Sequence, residues 1–205
     1  MFYKRKLPIK LTGEELFKNT ADKQFSVAKL WQYAFSNLNS NVLRGELAEF
    51  LVEMALSDNS EVGLRNPWGD YDVITKKGTK IEVKCCSYIQ DWDQNKLTRI
   101  MFAGLKAREL YWSEAVKPYS EIQRINKEYK SDIYVFALFK HQATETLDIL
   151  DLDQWCFFVL SKDEVARISK NGNSVSLYNL EKNNINPVSF GELKTEIEKL
   201  EHERG

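Results

Sequence analysis

The stretch that decides the fold is GDYDVITKKGTKIEVKCC, Gly69–Cys86. Tyr71, Val73, Ile81, Val83 and Cys85 alternate with Asp72, Thr79 or Lys80, Glu82 and Lys84, which is the period of a half-buried strand pair. Lys76, Lys77 and Gly78 make a three-residue loop between the strands, the glycine supplying the positive φ that such a loop needs. That loop sets Asp72 opposite Glu82. Facing side chains have Cβ atoms about 5 Å apart, and like charges so placed repel. A divalent cation between them would neutralise the pair. A solvated ribbon face whose charges look at water is the other reading the hairpin leaves open. A slip of one residue would bring Val73 against Glu82 and undo the pairing. Asp70 has the parity of Asp72 and is the rival carboxylate.

Upstream, RGELAEFLVEMAL (Arg44–Leu56) reads as a helix from about Val42 to Leu56. Leu43, Leu47, Phe50, Leu51 and Met54 fall on one side, and Ala48, Val52 and Ala55 widen it, leaving a narrow stripe of Glu46, Glu49 and Glu53. A helix this apolar is largely covered, so its acids must find water, a cation or a basic partner.

Around this core the chain reads as mixed α/β. An amphipathic helix is expected over about Asp22–Leu38, ended by NLNSN. After the hairpin, YIQDWDQNKLTRIMFAG is a loop or short strand, and residues 106–130 are a basic and aromatic stretch of helix and loop. DIYVFALFK is a strand. TLDILDLDQW reads as strand or extended chain and CFFVLS as a strand. SKDEVARI starts a helix with Ser161 as cap and Glu164 three residues on. SFGELKTEIEKLEHER is a terminal helix, capped by Ser189 or begun after Gly191.

With 205 residues and 43% hydrophobic side chains, the length suits one domain over 1–205, its motif core at about 41–140 and an extension at about 145–205. The 29 basic and 30 acidic residues nearly cancel, so no global basic footprint marks a nucleic-acid partner. The charge is nevertheless polarised. Residues 1–40 hold seven Lys or Arg against three acids and residues 96–131 eight against four, while 145–205 hold seven against twelve. This fits one anion-facing side.

Three cysteines offer neither a disulfide framework nor a metal-type spacing, so a reducing, cytoplasmic compartment is expected. Cys85 and Cys156 suit buried structural roles, with Cys86 on the charged side of its strand. No apolar run approaches the length of a membrane span, and MFYKRKLPIK lacks a secretory apolar segment, so a soluble protein without a membrane partner is expected.

Taken in order, RGELAEFLVEMAL, WGDYDV and IEVKCCSYIQDW resemble the PD-(D/E)XK nuclease superfamily, over about residues 41–92. Tyr71 stands where the family name records proline. The resemblance implies a restriction endonuclease-like α/β/α sandwich, a central mixed sheet flanked by helices. It also implies that Asp72 and Glu82 hold a catalytic metal, that Lys84 serves the attacking water, and that Glu49 joins from the helix. Gln90 looks like the supporting polar residue, with Gln94 as its substitute and Tyr88 and Trp92 as packing neighbours. The backbone carbonyl of Val83 completes the metal shell in that geometry.

Phosphodiester hydrolysis suits these groups. Mg²⁺, with Mn²⁺ as a substitute, takes about six oxygens and keeps several waters, so two carboxylates suffice. Its bound water becomes more acidic. Strand alternation puts Lys84 on the face of Glu82, within reach of a water or phosphate oxygen. Glu49 would hold a second ion or a metal-bound water. There is no glycine-rich phosphate loop and no Gly-x-Ser-x-Gly elbow, and His141 and His202 lie far apart, which disfavours zinc hydrolysis. The expected function is a Mg²⁺-dependent nuclease acting on nucleic acid, most readily double-stranded DNA, as an endonuclease of restriction, defence or DNA-processing type. A homodimer would supply two sites for two strands. A non-catalytic nucleic-acid-binding or assembly module on the same fold is the alternative, and a structural protein whose acids bind a stabilising cation is a third. DNA contacts would come from Lys and Arg of residues 96–130 and from the basic amino-terminal segment.

Overall fold

Gly78, at φ +86°, lets the loop after Thr75 close. Its N–H donates to the Thr75 carbonyl at 2.9 Å, and the Thr75 N–H donates to the Thr79 carbonyl at 3.0 Å. In the computed structural model, which describes residues 3, 6–57, 63–65, 69–107 and 127–203, the loop joins β1 (Val73–Ile74) to β2 (Lys80–Ser87). Val73 pairs with Ile81 and Ile74 with Lys80, the register the loop length dictates.

Contacts divide the chain into two units, Met1–Leu38 and Asn39–Gly205. In the first, α1 runs from Val27 to Phe35, shorter than the periodicity of 22–38 suggests. The reason lies in the preceding chain. Val27 and Ala28 donate their N–H groups to the carbonyls of Glu15 and Gly13, and Phe17 N–H donates to Phe25. Residues 13–17 therefore hold 25–28, and satisfy the orphan donors of the first helical turn there.

The second unit is a mixed α/β assembly. Helix α2 (Asn41–Leu56) starts at Ser40, whose side chain accepts from Leu43 N–H. A four-stranded sheet has the order β1-β2-β4-β5, with β4 at Ile133–Phe139 and β5 at Trp155–Ser161. β2 and β4 are parallel and the other pairs antiparallel. Strand β4 is buried at all seven positions, because neighbours hydrogen-bond to both edges and a core lies on both faces, which is why its sequence is continuously apolar rather than alternating.

Those two cores follow strand parity. Ile81, Val83, Val135, Ala137, Phe157 and Val159 pack with Ala48, Leu51 and Val52 of α2 and with the terminal helix. On the opposite face Tyr134, Phe136, Leu138, Phe158 and Leu160 meet a ribbon of β3 (Met101–Ala103) and β6 (Ser174–Ser176), together with α3 (Lys162–Ile168) and α4 (Leu177–Lys182). Helix α3 carries the expected capping box, Ser161 and Glu164 satisfying each other's backbone N–H. The terminal helix α5 (Phe190–Glu203) begins directly after Ser189, whose N–H and hydroxyl both donate to the Glu192 carboxylate.

Two expectations need correcting. The TLDILDLDQW segment starts on the last residue of a 3₁₀ turn at Thr144–Thr146 and holds a second at Leu152–Gln154, and only Trp155 enters a strand. Asp148 and Asp151 accept the N–H groups of Leu150 and Asp153, each at 3.0 Å, and such local side-chain bonds favour turns over a ladder. The apolar stripe of α2 is also rotated. Its buried positions are Arg44, Ala48, Leu51 and Val52, whereas Phe50 stays 48% exposed. Of the expected 106–130 stretch, residues 108–126 lie outside the described residues. Among the described residues no helix is long and apolar enough to cross a membrane.

Candidate active site

β1 is two residues long, so among the described residues the edge of β2 beyond Ile81 has no strand beside it. Asp72 takes its place. Its N–H donates to the Ile81 carbonyl at 3.0 Å, and its Oδ2 accepts the Val83 N–H at 2.8 Å. The N–H and C=O of one strand residue point the same way, so the Val83 carbonyl is directed to the same open edge.

Glu82 and Lys84 share the other parity of β2, opposite Tyr134 and Phe136 of β4. Lys84 Nζ donates to Glu82 Oε1 at 2.5 Å, and both side chains are half-buried. Gly104, at φ +77°, lies beside the Lys84 stem, where a Cβ would stand 3.9 Å from Cε. The face expected to be charged is therefore charged only near the edge. Farther along, Cys86 donates to the Met101 carbonyl and packs against the second core.

Helix α2 brings its acid stripe to the same edge from the other face. Glu46, Glu49, Glu53 and Asp72 line a cavity of about 480 Å³ together with Phe50 and Arg65. Arg65 supplies the basic partner that the stripe requires. Its Nε and NH2 donate to the two oxygens of Glu49, at 2.5 and 2.8 Å, and its NH1 lies 3.8 Å from Glu46. The fork geometry suits a guanidinium, and the Glu49 contact raises the Arg65 pKa above its usual value. Nothing in the periodicity of the sequence marks Arg65, which comes from the connection between α2 and β1.

These charges meet on Asp72. Burial lifts its pKa to about 6, Glu82 and Glu49 push it the same way, and the Val83 N–H and Lys84 oppose them. Glu82 thus has Lys84 and Glu49 has Arg65, while Asp72 has one backbone donor. Of these three it is the acid with no ion pair among the described residues. Asp70, the rival, is exposed.

Among the described residues no three His, Cys, Asp or Glu side chains gather closely enough to hold a metal on their own. The oxygens a divalent cation could use at this edge are Asp72 Oδ1, the Glu82 carboxylate and the Val83 carbonyl. Two carboxylates and a carbonyl leave room for waters, the donor set of a hard, partly hydrated ion.

Gln90 stands elsewhere. It is buried, its Oε1 accepting from Arg44 at 2.8 Å and its Nε2 donating to the Ser87 carbonyl and Thr98 Oγ1. Its polar contacts fasten the loop after β2 to α2 and do not reach the acids. Gln94 organises that loop, accepting from Gln90 N–H at 2.6 Å and donating to Thr98 Oγ1 at 2.9 Å. Tyr88 packs on the second core as expected, whereas Trp92 is 56% exposed and packs little. His141 bonds to Thr146 near the 3₁₀ turns, and His202 lies exposed at the end of α5. No family model matches the chain, and no curated protein matches it.

Proposed function

We propose that the sheet edge hydrolyses phosphodiester bonds in nucleic acid with Mg²⁺, as a DNA endonuclease of restriction, defence or DNA-processing type on a restriction endonuclease-like fold. The observation that carries this reading is the hairpin register. It pairs Val73 with Ile81 and so brings Asp72 to the edge of β2, on the Val83 N–H with Glu82 close by and Lys84 two residues on, a half-buried carboxylate with no ion pair among the described residues.

Asp72, Glu82 and the Val83 carbonyl would hold the ion. Bound there, Mg²⁺, or Mn²⁺ in its place, supplies a more acidic water and an electrophile for the phosphate oxygens. Lys84, now on Glu82 Oε1, is the donor that orients the attacking water and stabilises charge on the phosphate. The Val83 N–H fixes Asp72 and so aims its free oxygen. Arg65 fixes Glu49 in two places, and Glu49 positions water at the rim.

Incubating the purified protein with supercoiled duplex DNA, with Mg²⁺ or with EDTA, tests this. Nicking or linearisation is expected with Mg²⁺ alone, and Lys84→Ala should lose at least about 10²-fold in rate, the scale of a removed general acid–base or oxyanion donor. Intact DNA across duplex and single-stranded substrates and both metals would count against it.

A second reading has its own support. Lys84 and Arg65 already compensate Glu82 and Glu49, so the edge can stand as a closed charge network in a nucleic-acid-binding or assembly module. Tight DNA binding with no cleavage under any metal would select it.

A further inference from the structure

On the far side of the first turn of α2, Arg44 is 3% exposed. A guanidinium keeps its charge at any working pH, and removing it from water costs several kcal/mol unless it is compensated. Its acceptors among the described residues are all neutral. NH1 donates to the Asn39 carbonyl at 2.6 Å and to Asn39 Oδ1 at 3.2 Å, and NH2 donates to Asn41 Oδ1 and to Gln90 Oε1 at 2.8 Å. Hydrogen bonds are thus satisfied while the charge is not.

Arg44 and Cys85 line an open cavity of about 310 Å³. Arg99, exposed, stands in the same wall, as do Thr98 and the half-exposed face of Trp92. A tie between α2 and the loop after β2 would need only the neutral groups already present. A buried cation facing a cavity with a second arginine and an exposed indole has the composition of an anion site beside an aromatic platform.

We propose that this cavity binds the phosphate group of a nucleotide, within a strand or free, with Arg44 and Arg99 holding the phosphate and Trp92 stacking on the base. Asn41, exposed, is the acceptor that a phosphate oxygen can replace on Arg44 without opening the bonds to Asn39 and Gln90. The cavity lies at the small end of ligand pockets, which run from about 300 to 1,000 Å³, and suits one nucleotide unit. The anion site stands on these residues alone; only the choice of a nucleotide as the phosphate's bearer rests on the proposed function.

Binding in EDTA, where cleavage plays no part, tests it. Fluorescence anisotropy of a labelled single-stranded 12-mer is read for the intact protein, for Arg99→Ala and for Trp92→Ala, whose positions are exposed and outside both cores, and is repeated in competition with AMP and with inorganic phosphate. Each variant should weaken binding about 5- to 100-fold, the range of one stacked base or one charged contact, and Arg99→Ala should also lower the salt slope by about one. Competition by AMP at concentrations near those of the strand marks a free nucleotide as the ligand, and a large preference for the 12-mer marks the strand. Binding of the 12-mer unchanged within twofold in both variants, or no binding of any of the three probes, overturns the proposal. Lys84→Ala separates the two accounts. If pocket binding survives while no protein cuts DNA with Mg²⁺, the nuclease reading alone fails; if wild-type protein cuts while the pocket variants bind as it does, the pocket alone fails.

Discussion

Asp72 concentrates the conflict between folding and function in one carboxyl group. Burial lifts its pKa to about 6 in the folded chain, from 3.8 for the free side chain, so the sign of its contribution is fixed. Below about 3.8 the group is protonated in both states and costs nothing. Between about 3.8 and 6 the unfolded chain ionises freely while the folded chain resists charging a half-buried acid, and by the time pH passes 6 the fold has lost roughly 2 to 3 kcal/mol at most. Asp72→Asn keeps an acceptor for the Val83 N–H and removes the charge. In metal-free buffer at pH 8 it should therefore be more stable than wild type by about 2 kcal/mol, with the gap closing toward pH 4; urea melts across that range check it. Mg²⁺ should reverse the order by binding the wild-type carboxylate. At a hundredfold excess over its Kd the ion stabilises by about 2.7 kcal/mol, a rise in Tm that Asp72→Asn should lack. Equal stability of the two proteins at pH 8 would show that burial does not strain this acid.

At the scale of elements, the hairpin and α2 do the positioning, and they differ in how far their sequences disclose it. The register of the hairpin was legible. A three-residue loop with glycine in the left-handed region leaves one register open, Val73 on Ile81, whereas the bond from Asp72 to the Val83 N–H did not follow from alternation. No atom lies within 4 Å of a Cβ built on Gly78, so Gly78→Ala should cost only the backbone penalty, about 1 kcal/mol, read as a lower urea midpoint. Helix α2 was legible for its acid stripe and misleading for its buried face. A helical wheel counts Arg44 as polar and Phe50 as core, whereas tertiary contacts invert them: Asn39, Asn41 and Gln90 supply the acceptors that let the arginine go inside, and none of those contacts has a period. Arg65 escaped notice for the same reason, being a loop residue whose partners lie on a helix. The segment before β5 misled in another way, because its alternating Leu and Asp imitate a strand while the aspartates bend the chain with their own side chains.

For the molecule as a whole, the central sheet is the rigid reference. Strands β4 and β5 are almost wholly buried between two cores, and truncating Phe157→Ala, fully buried opposite Ala137, should cost about 3 to 5 kcal/mol and abolish function through unfolding. Substitutions at the edge act differently, since Asp72, Glu82 and Lys84 stand where the sheet runs out of partners and can change without emptying a core. Continuous apolar runs marked β4 and β5 as strands in the sequence, whereas their burial between two cores and the mixed strand directions came from the structure. The most direct measurement is cleavage of duplex DNA by wild type and Lys84→Ala, each shown by circular dichroism to be folded, with Mg²⁺ and with EDTA. Cutting by wild type in Mg²⁺ only, with the folded variant inactive, is the predicted result. Cutting by the variant at the wild-type rate, or no cutting by folded wild type with Mg²⁺, would contradict it.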